Sequence, residues 1–212
     1  MSALYDAVLN GDASAAAEAA RTALASGTPP LELLQAHMIP AMDEVGRRFD
    51  CEDYFVPELL ISARAMKAAL VLIRPLLAAS GAPSAGRVVI GTVKGDLHDI
   101  GKNIVASMLE GGGFEVIDLG ADVPAERFVA EARERRASLV CLSALLTVTM
   151  PAMKDAIAAL GAAGLRDQVK VMVGGAPVTQ RFADEIGADG YGQNAPAAVA
   201  LARKLVAPHA AA

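Results

Sequence analysis

Val88-Val89-Ile90-Gly91-Thr92-Val93-Lys94-Gly95-Asp96-Leu97-His98-Asp99-Ile100-Gly101-Lys102-Asn103 is the stretch on which the fold turns. Its apolar opening predicts a buried strand, and the following Ile104-Val105-Ala106-Ser107-Met108-Leu109 predicts a helix. Open α/β sheets bind ligands at the carboxyl ends of their strands. His98 falls there, with Asp96 two residues before it and Gly101 three after it. A histidine is a metal-ligand type, a neighbouring carboxylate can orient its ring, and a glycine leaves room for something large. Asp99, nearer the helix start than Asp96, is the better capping candidate, and Lys102 and Asn103 are expected to solvate that start.

Downstream the same pattern repeats. Apolar runs begin at Val88, Phe114, Leu139, Val169 and Gly190, with helical stretches roughly at 100–110, 125–136, 151–163 and 179–186 and a last one after Ala195. Near-continuous apolar strands alternating with helices imply a parallel sheet covered on both faces. Five strands suggest a flavodoxin-like, Rossmann-type winding. Neither GxGxxG nor GxxxxGK[ST] occurs, so neither phosphate-binding fingerprint is supported.

Upstream everything reads as helix. Asp12 can cap a helix over Ala13–Ala25 that stops at Gly27 before Pro29 and Pro30. Another runs roughly over 31–49 and kinks at Pro40. The clearest carries Leu59, Ala63, Met66, Leu70, Ile73 and Leu77 at alternating spacings of four and three, one apolar stripe. Four such helices make a small bundle. The small-residue segment 79–86 predicts a linker between a helical domain, 1–80, and an α/β domain, 87–212.

Composition narrows the function. The chain has 212 residues, 54% hydrophobic and only 4% aromatic, so its core is aliphatic and alanine-rich. A net charge of -5 argues against nucleic acid and anionic membrane surfaces as partners. No apolar run reaches the length of a membrane span, and no secretory signal opens the sequence. Cys51 and Cys141 lie far apart, which suits a reducing cytoplasm better than a disulfide framework, and Cys141 reads as an inert buried thiol. His37 has no ligand partners nearby, and His209 lies in an alanine-rich tail.

The strand ends should converge on one rim: Asp96 and His98 after the first, Ser143 to Thr149 after the third, Gly174 and Gly175 after the fourth, Tyr191 and Gly192 at the fifth. Asp-x-His-x-x-Gly at 96–101, Ser-x-Leu at 143–145 and Gly-Gly at 174–175, in that order, resemble the cobalamin-binding signature. Asp118-Leu119-Gly120-Ala121-Asp122-Val123-Pro124 resembles a further stretch of that family. Gly46-Arg47-Arg48-Phe49 and Phe55-Val56-Pro57-Glu58-Leu59 are similar to the cap of cobalamin-dependent methionine synthase. The layout resembles the stand-alone corrinoid proteins of methyltransferase systems that use methylamines, methanol or methoxylated compounds.

That resemblance implies cobalamin, as methylcobalamin and cob(I)alamin, bound with its dimethylbenzimidazole tail off cobalt and buried in the protein. His98 is then the cobalt ligand, Asp96 its hydrogen-bonded partner, and Thr149 the hydroxyl that extends the relay. Thr149 also has a simpler role open to it, as a helix-start residue before Pro151. Ser143 would bond the tail, and Gly174 and Gly175 would admit it closely; Gly95, Leu97, Asp99, Ile100, Gly101, Leu145, Thr147, Tyr191 and Gly192 complete the implied cofactor contacts. Phe49, Val56 and Leu59 match residues that cover the upper corrin face, and the 79–86 segment would be the hinge on which the cap swings aside. The implied role is a non-autonomous methyl carrier, partnered by a substrate-specific methyltransferase, a second methyltransferase and a reductive activase. A cobalamin-binding sensor or regulator is the alternative, although no added DNA-binding or signalling element is visible.

Overall fold

The computed structural model describes residues 2–80 and 85–206. Residues 81–84 of the expected hinge and His209 lie outside them. The chain divides into two compact units, Met1–Ser84 with Ser107–Gly113, and Ala85–Ala106 with Phe114–Ala212.

The first unit is helical. Helix α1 (Ala3–Leu9) is capped by Ser2, and α2 (Ala13–Ala25) by Asp12, whose carboxylate accepts the Ala15 N–H at 2.9 Å as expected. The expected third helix is interrupted. A short turn α3 (Pro30–Glu32) passes into a π-helical segment, Leu33–Met38, before α4 (Ile39–Asp50). Pro40 explains the interruption. It has no N–H to donate and its ring crowds the preceding turn, and a π-turn, with the Ile39 N–H reaching back to the Leu34 carbonyl, absorbs both without breaking the axis. Helix α5 (Val56–Ser80) buries Leu59, Ala63, Met66, Leu70 and Ile73 of the expected stripe and half-buries Leu77, and α2, with Ala16 and Ala20 fully buried, packs along it.

The second unit is a five-stranded, all-parallel sheet in the order β2-β1-β3-β4-β5. Its strands are β1 (Arg87–Thr92), β2 (Glu115–Asp118), β3 (Leu139–Ser143), β4 (Lys170–Gly174) and β5 (Gly190–Gly192). The helices are α6 (Ile100–Gly111), which from Ser107 on belongs to the first unit, α7 (Ala125–Glu134), α8 (Pro151–Ala162), α9 (Gln180–Ile186) and α10 (Ala195–Val206). Val89, Val140 and Val171 share one register row and pack with Phe128 of α7 and Met153, Ile157 and Leu160 of α8. In the next row Ile90, Cys141 and Met172 are buried as well, which is why these strands read as unbroken apolar runs. Burial pushes the Cys141 thiol up, keeping it protonated and unreactive. No described helix is long and apolar enough to cross a membrane.

One more feature of the sheet sets up the site. The chain leaves β1 for β2 on one side and then crosses to β3 on the other. The strand order thus reverses between β1 and β3, the place at which open parallel sheets bind ligands beyond their strand ends.

Candidate functional site

Four strand ends line up across that rim. Thr92 pairs with Ser143, Ser143 with Gly174, and Gly174 with Gly192. The loops beyond them bring together the residues expected there. Asp96 is fully buried in the β1–α6 loop, and its Oδ1 accepts the His98 backbone N–H at 3.0 Å and faces the His98 ring Nδ1 at 2.8 Å. Its Oδ2 accepts the Leu145 N–H at 2.7 Å, the Leu146 N–H at 3.2 Å and the Thr149 hydroxyl at 2.7 Å. One carboxylate thus ties the β1–α6 loop to the β3–α8 loop. Burial by itself would raise the Asp96 carboxyl pKa. The bonds from the His98 N–H, the Thr149 hydroxyl, the Leu145 N–H and the His98 ring outweigh it and hold the group well below the usual carboxylate range.

Thr149 stands both at the start of α8 and beside Asp96. Its carbonyl accepts the Ala152 N–H at the start of α8, while its hydroxyl stands 2.7 Å from Asp96 Oδ2 and 2.8 Å from the Leu146 carbonyl. With one proton it donates to either acceptor in turn. The His98 backbone is held by the Thr92 hydroxyl, which donates to its carbonyl at 3.0 Å.

The His98 ring is half-exposed, at 51%, and beyond its Nδ1 contact has no further hydrogen-bond partner among the described residues. Exposed apolar side chains crowd the same two loops: Leu97 at 75%, Ile100 at 79% and Val148 at 81%, with Leu145 and Leu146 less so. A contiguous patch of this kind on a protein surface marks a place something apolar covers. No group of three His, Cys, Asp or Glu side chains among the described residues could hold a metal ion. A single imidazole suits a metal that arrives already equipped with its other ligands.

The remaining expected residues fall as follows. Ser143 is half-buried and its hydroxyl has no partner among the described residues. Gly101 faces open space where a Cβ would stand. Gly175 has a reason of its own to be glycine: with φ +131°, a Cβ would sit 1.9 Å from the Ala144 carbonyl oxygen. Gly175→Ala is therefore expected to cost roughly 1–3 kcal/mol, read as a lower melting temperature of the cofactor-free protein. Thr147 is exposed, Asp99 accepts the Asn103 side-chain amide at 3.1 Å, and Tyr191 and Gly192 are half-buried at the rim. In the helical unit, Phe49 is half-buried, Val56 is 39% exposed and Leu59 is 1% exposed in the core.

Lys102 corrects an expectation. It does not solvate the helix start but is 3% exposed, with its Nζ 2.5 and 2.6 Å from the two Asp118 carboxylate oxygens and 2.6 Å from Asn103 Oδ1. A lysine tolerates such burial only when paired, and the end of β2 supplies the partner. Nothing in the local spacing of Lys102 announces this, because Asp118 comes from a different strand.

Residues 86–200 match a B12 binding domain family, and residues 2–74 match a second B12 binding domain family. The chain belongs to the B12-binding corrinoid proteins. Its cofactor is cobalamin. It is 46% identical over 203 residues to trimethylamine corrinoid protein 1 of Methanosarcina acetivorans, covering 95% of this chain and 94% of that one. A cobalamin-binding protein from Desulfitobacterium hafniense superposes with a TM-score of 0.80 at 35% identity, over 96% of this chain and 97% of that one. The methanol:cobalamin methyltransferase complex of Methanosarcina barkeri contains a chain that superposes with a TM-score of 0.84 at 30% identity, over 97% of this chain and 78% of that one. The expected fold, a helical N-terminal region followed by a five-stranded parallel sheet with helices, is that of these corrinoid proteins.

Proposed function

We propose that the protein carries a methyl group on cobalamin held with the vitamin's own base displaced and His98 beneath the cobalt. The observation that carries this reading is the His98 ring, with one nitrogen on a buried carboxylate, the other without a partner among the described residues, and exposed apolar side chains in the same loops. Cobalamin supplies a cobalt centre that accepts a methyl group from one donor and yields it to another. The protein's work is to ligate, to orient and to hold a proton. Asp96 fixes the tautomer of His98 by accepting the Nδ1–H hydrogen bond, which leaves the Nε2 lone pair for the metal. Whenever His98 is not ligating, Nε2 is free to take a proton, and the Asp96 carboxylate is there to hold the imidazolium. Thr149 adjusts by turning its hydroxyl between Asp96 and the Leu146 carbonyl.

Ser143, whose hydroxyl has no partner among the described residues, is assigned to the displaced tail, and Gly101 to the open space beside it. Phe49 and Val56, with apolar surface to offer, and Leu59, 1% exposed, are assigned to the cover against water. The similarity to a chain of the methanol:cobalamin methyltransferase complex supports a substrate-specific methyltransferase as donor partner. The carrier role itself calls for a second methyltransferase on the acceptor side and an activase to restore the reduced state.

Methyl uptake tests this. The full chain is reconstituted with hydroxocobalamin, reduced, and mixed with a methylamine or methanol and the cognate methyltransferase. The spectrum of methylcobalamin is expected to appear at a rate dependent on that enzyme. Absence of uptake with every such pair, together with a ligand- or light-dependent change in oligomer size, would favour a sensor and overturn the carrier reading.

A further inference from the structure

We propose that Asp122, in the loop after β2, is a positioning residue that sets the geometry of the ligand-bearing loop; the proposal rests on His98 being the cobalt ligand. Asp122 reaches that loop twice. Its Oδ1 accepts the Gly95 N–H at 2.7 Å, and its own backbone N–H donates to the Asp96 carbonyl at 2.9 Å. The two contacts bracket Gly95 and Asp96 from both sides. Gly95 needs to be held, because it sits at φ +84° in a turn closed by the Asp96 N–H on the Val93 carbonyl at 3.1 Å. Asp122 itself lies at φ +54°, in the left-handed region where Asp and Asn are tolerated far better than other side chains.

The direction of the Asp96 side chain follows from its backbone. The other anchors on its carboxylate, Leu145, Leu146 and Thr149, all come from the β3–α8 loop. Asp122 is the counter-anchor on the β2 side. Neighbouring bonds frame it: the Thr92 N–H donates to the Gly120 carbonyl at 3.0 Å, and the Val123 N–H donates to the Thr92 carbonyl at 2.9 Å. Without the Asp122 carboxylate, the peptide that carries the Gly95 N–H is free to turn, and the Asp96 backbone shifts with it. That turn carries the His98 N–H and ring off Oδ1, so the imidazole is presented to the metal in many orientations instead of one.

Three substitutions separate side chain from backbone. Asp122→Asn keeps an acceptor oxygen and tolerates the left-handed conformation. Asp122→Gly keeps the conformation and removes the acceptor. Asp122→Ala removes both. In the cofactor-free protein, amide hydrogen exchange at Gly95 is expected to quicken about tenfold in Asp122→Gly and to stay near wild type in Asp122→Asn. After loading with cobalamin, Asp122→Gly is expected to bind it about tenfold more weakly. The histidine nitrogen splitting in the Co(II) electron paramagnetic resonance spectrum is expected to broaden or vanish, with Asn restoring both properties. If Asp122→Gly lowers the melting temperature but leaves Gly95 exchange and the splitting unchanged, the role is merely structural and the proposal is overturned. If the unsubstituted protein shows no histidine splitting, the ligation reading fails first and the proposal falls with it.

Discussion

Asp96→Ala is expected to loosen the two loops that carry the site and to lower stability by on the order of 3 kcal/mol. The carboxylate is fully buried and serves five donors: three backbone N–H groups, one ring nitrogen and one hydroxyl. Alanine leaves the His98, Leu145 and Leu146 N–H groups without an acceptor. Thr149 is spared, because its hydroxyl turns to the Leu146 carbonyl at 2.8 Å. The loss should depend on pH in a defined direction. The folded-state pKa of Asp96 lies below its unfolded value, which is about 3.9 for an ordinary aspartate. Its stabilisation is therefore complete above the unfolded value and is lost as pH falls through the folded one. Urea denaturation of wild type and Asp96→Ala at a series of pH values should show a constant gap from neutrality down to about pH 4, narrowing below. A gap that widens with acid would contradict the assignment.

His98→Ala is expected to act in the opposite way, sparing the fold and striking the cofactor. Its ring is half-exposed, and its backbone N–H keeps the bond to Asp96 whatever the side chain. The cofactor-free melting temperature should therefore stay close to wild type. Cobalamin affinity should fall by at least the ten- to hundredfold typical of losing a partner that orients a metal ligand, since here the ligand itself is removed. Titration with hydroxocobalamin followed by desalting measures it. Together the two variants are expected to divide the site, with Asp96→Ala losing both stability and cobalamin and His98→Ala losing cobalamin alone. Equal retention of cobalamin by wild type and His98→Ala would refute the ligand role.

The strands and helices of the second unit were readable because each apolar run is bounded by small or turn residues. The runs opening at Val88, Leu139 and Val169 became β1, β3 and β4 within a residue, and Thr179 appeared as the N-cap of α9. The apolar stripe of α5 was equally plain, from Leu59 to Ile73. The π-turn at Leu33–Met38 was not, because Pro40 announces a kink without saying how the backbone absorbs it. At the site, Asp96, His98 and Thr149 could be named from motif order, and the structure places all three in one hydrogen-bonded chain. What stayed hidden depends on contacts between separate loops. Lys102 looks like any solvated lysine until Asp118 arrives from β2, and Asp122 looks like a turn residue until it meets Gly95. Gly175 shows the reverse case: a glycine assigned to the cofactor's approach already has a steric reason in the Ala144 carbonyl.

The most direct measurement uses isotopes. The protein is produced with nitrogen-15 histidine, loaded with natural-abundance cobalamin and reduced to Co(II), and its electron paramagnetic resonance spectrum is compared with that of unlabelled protein. If His98 ligates the cobalt, each hyperfine line changes from a triplet to a doublet. If the triplet persists, the coordinating nitrogen belongs to the vitamin's own base, and His98 is not the ligand.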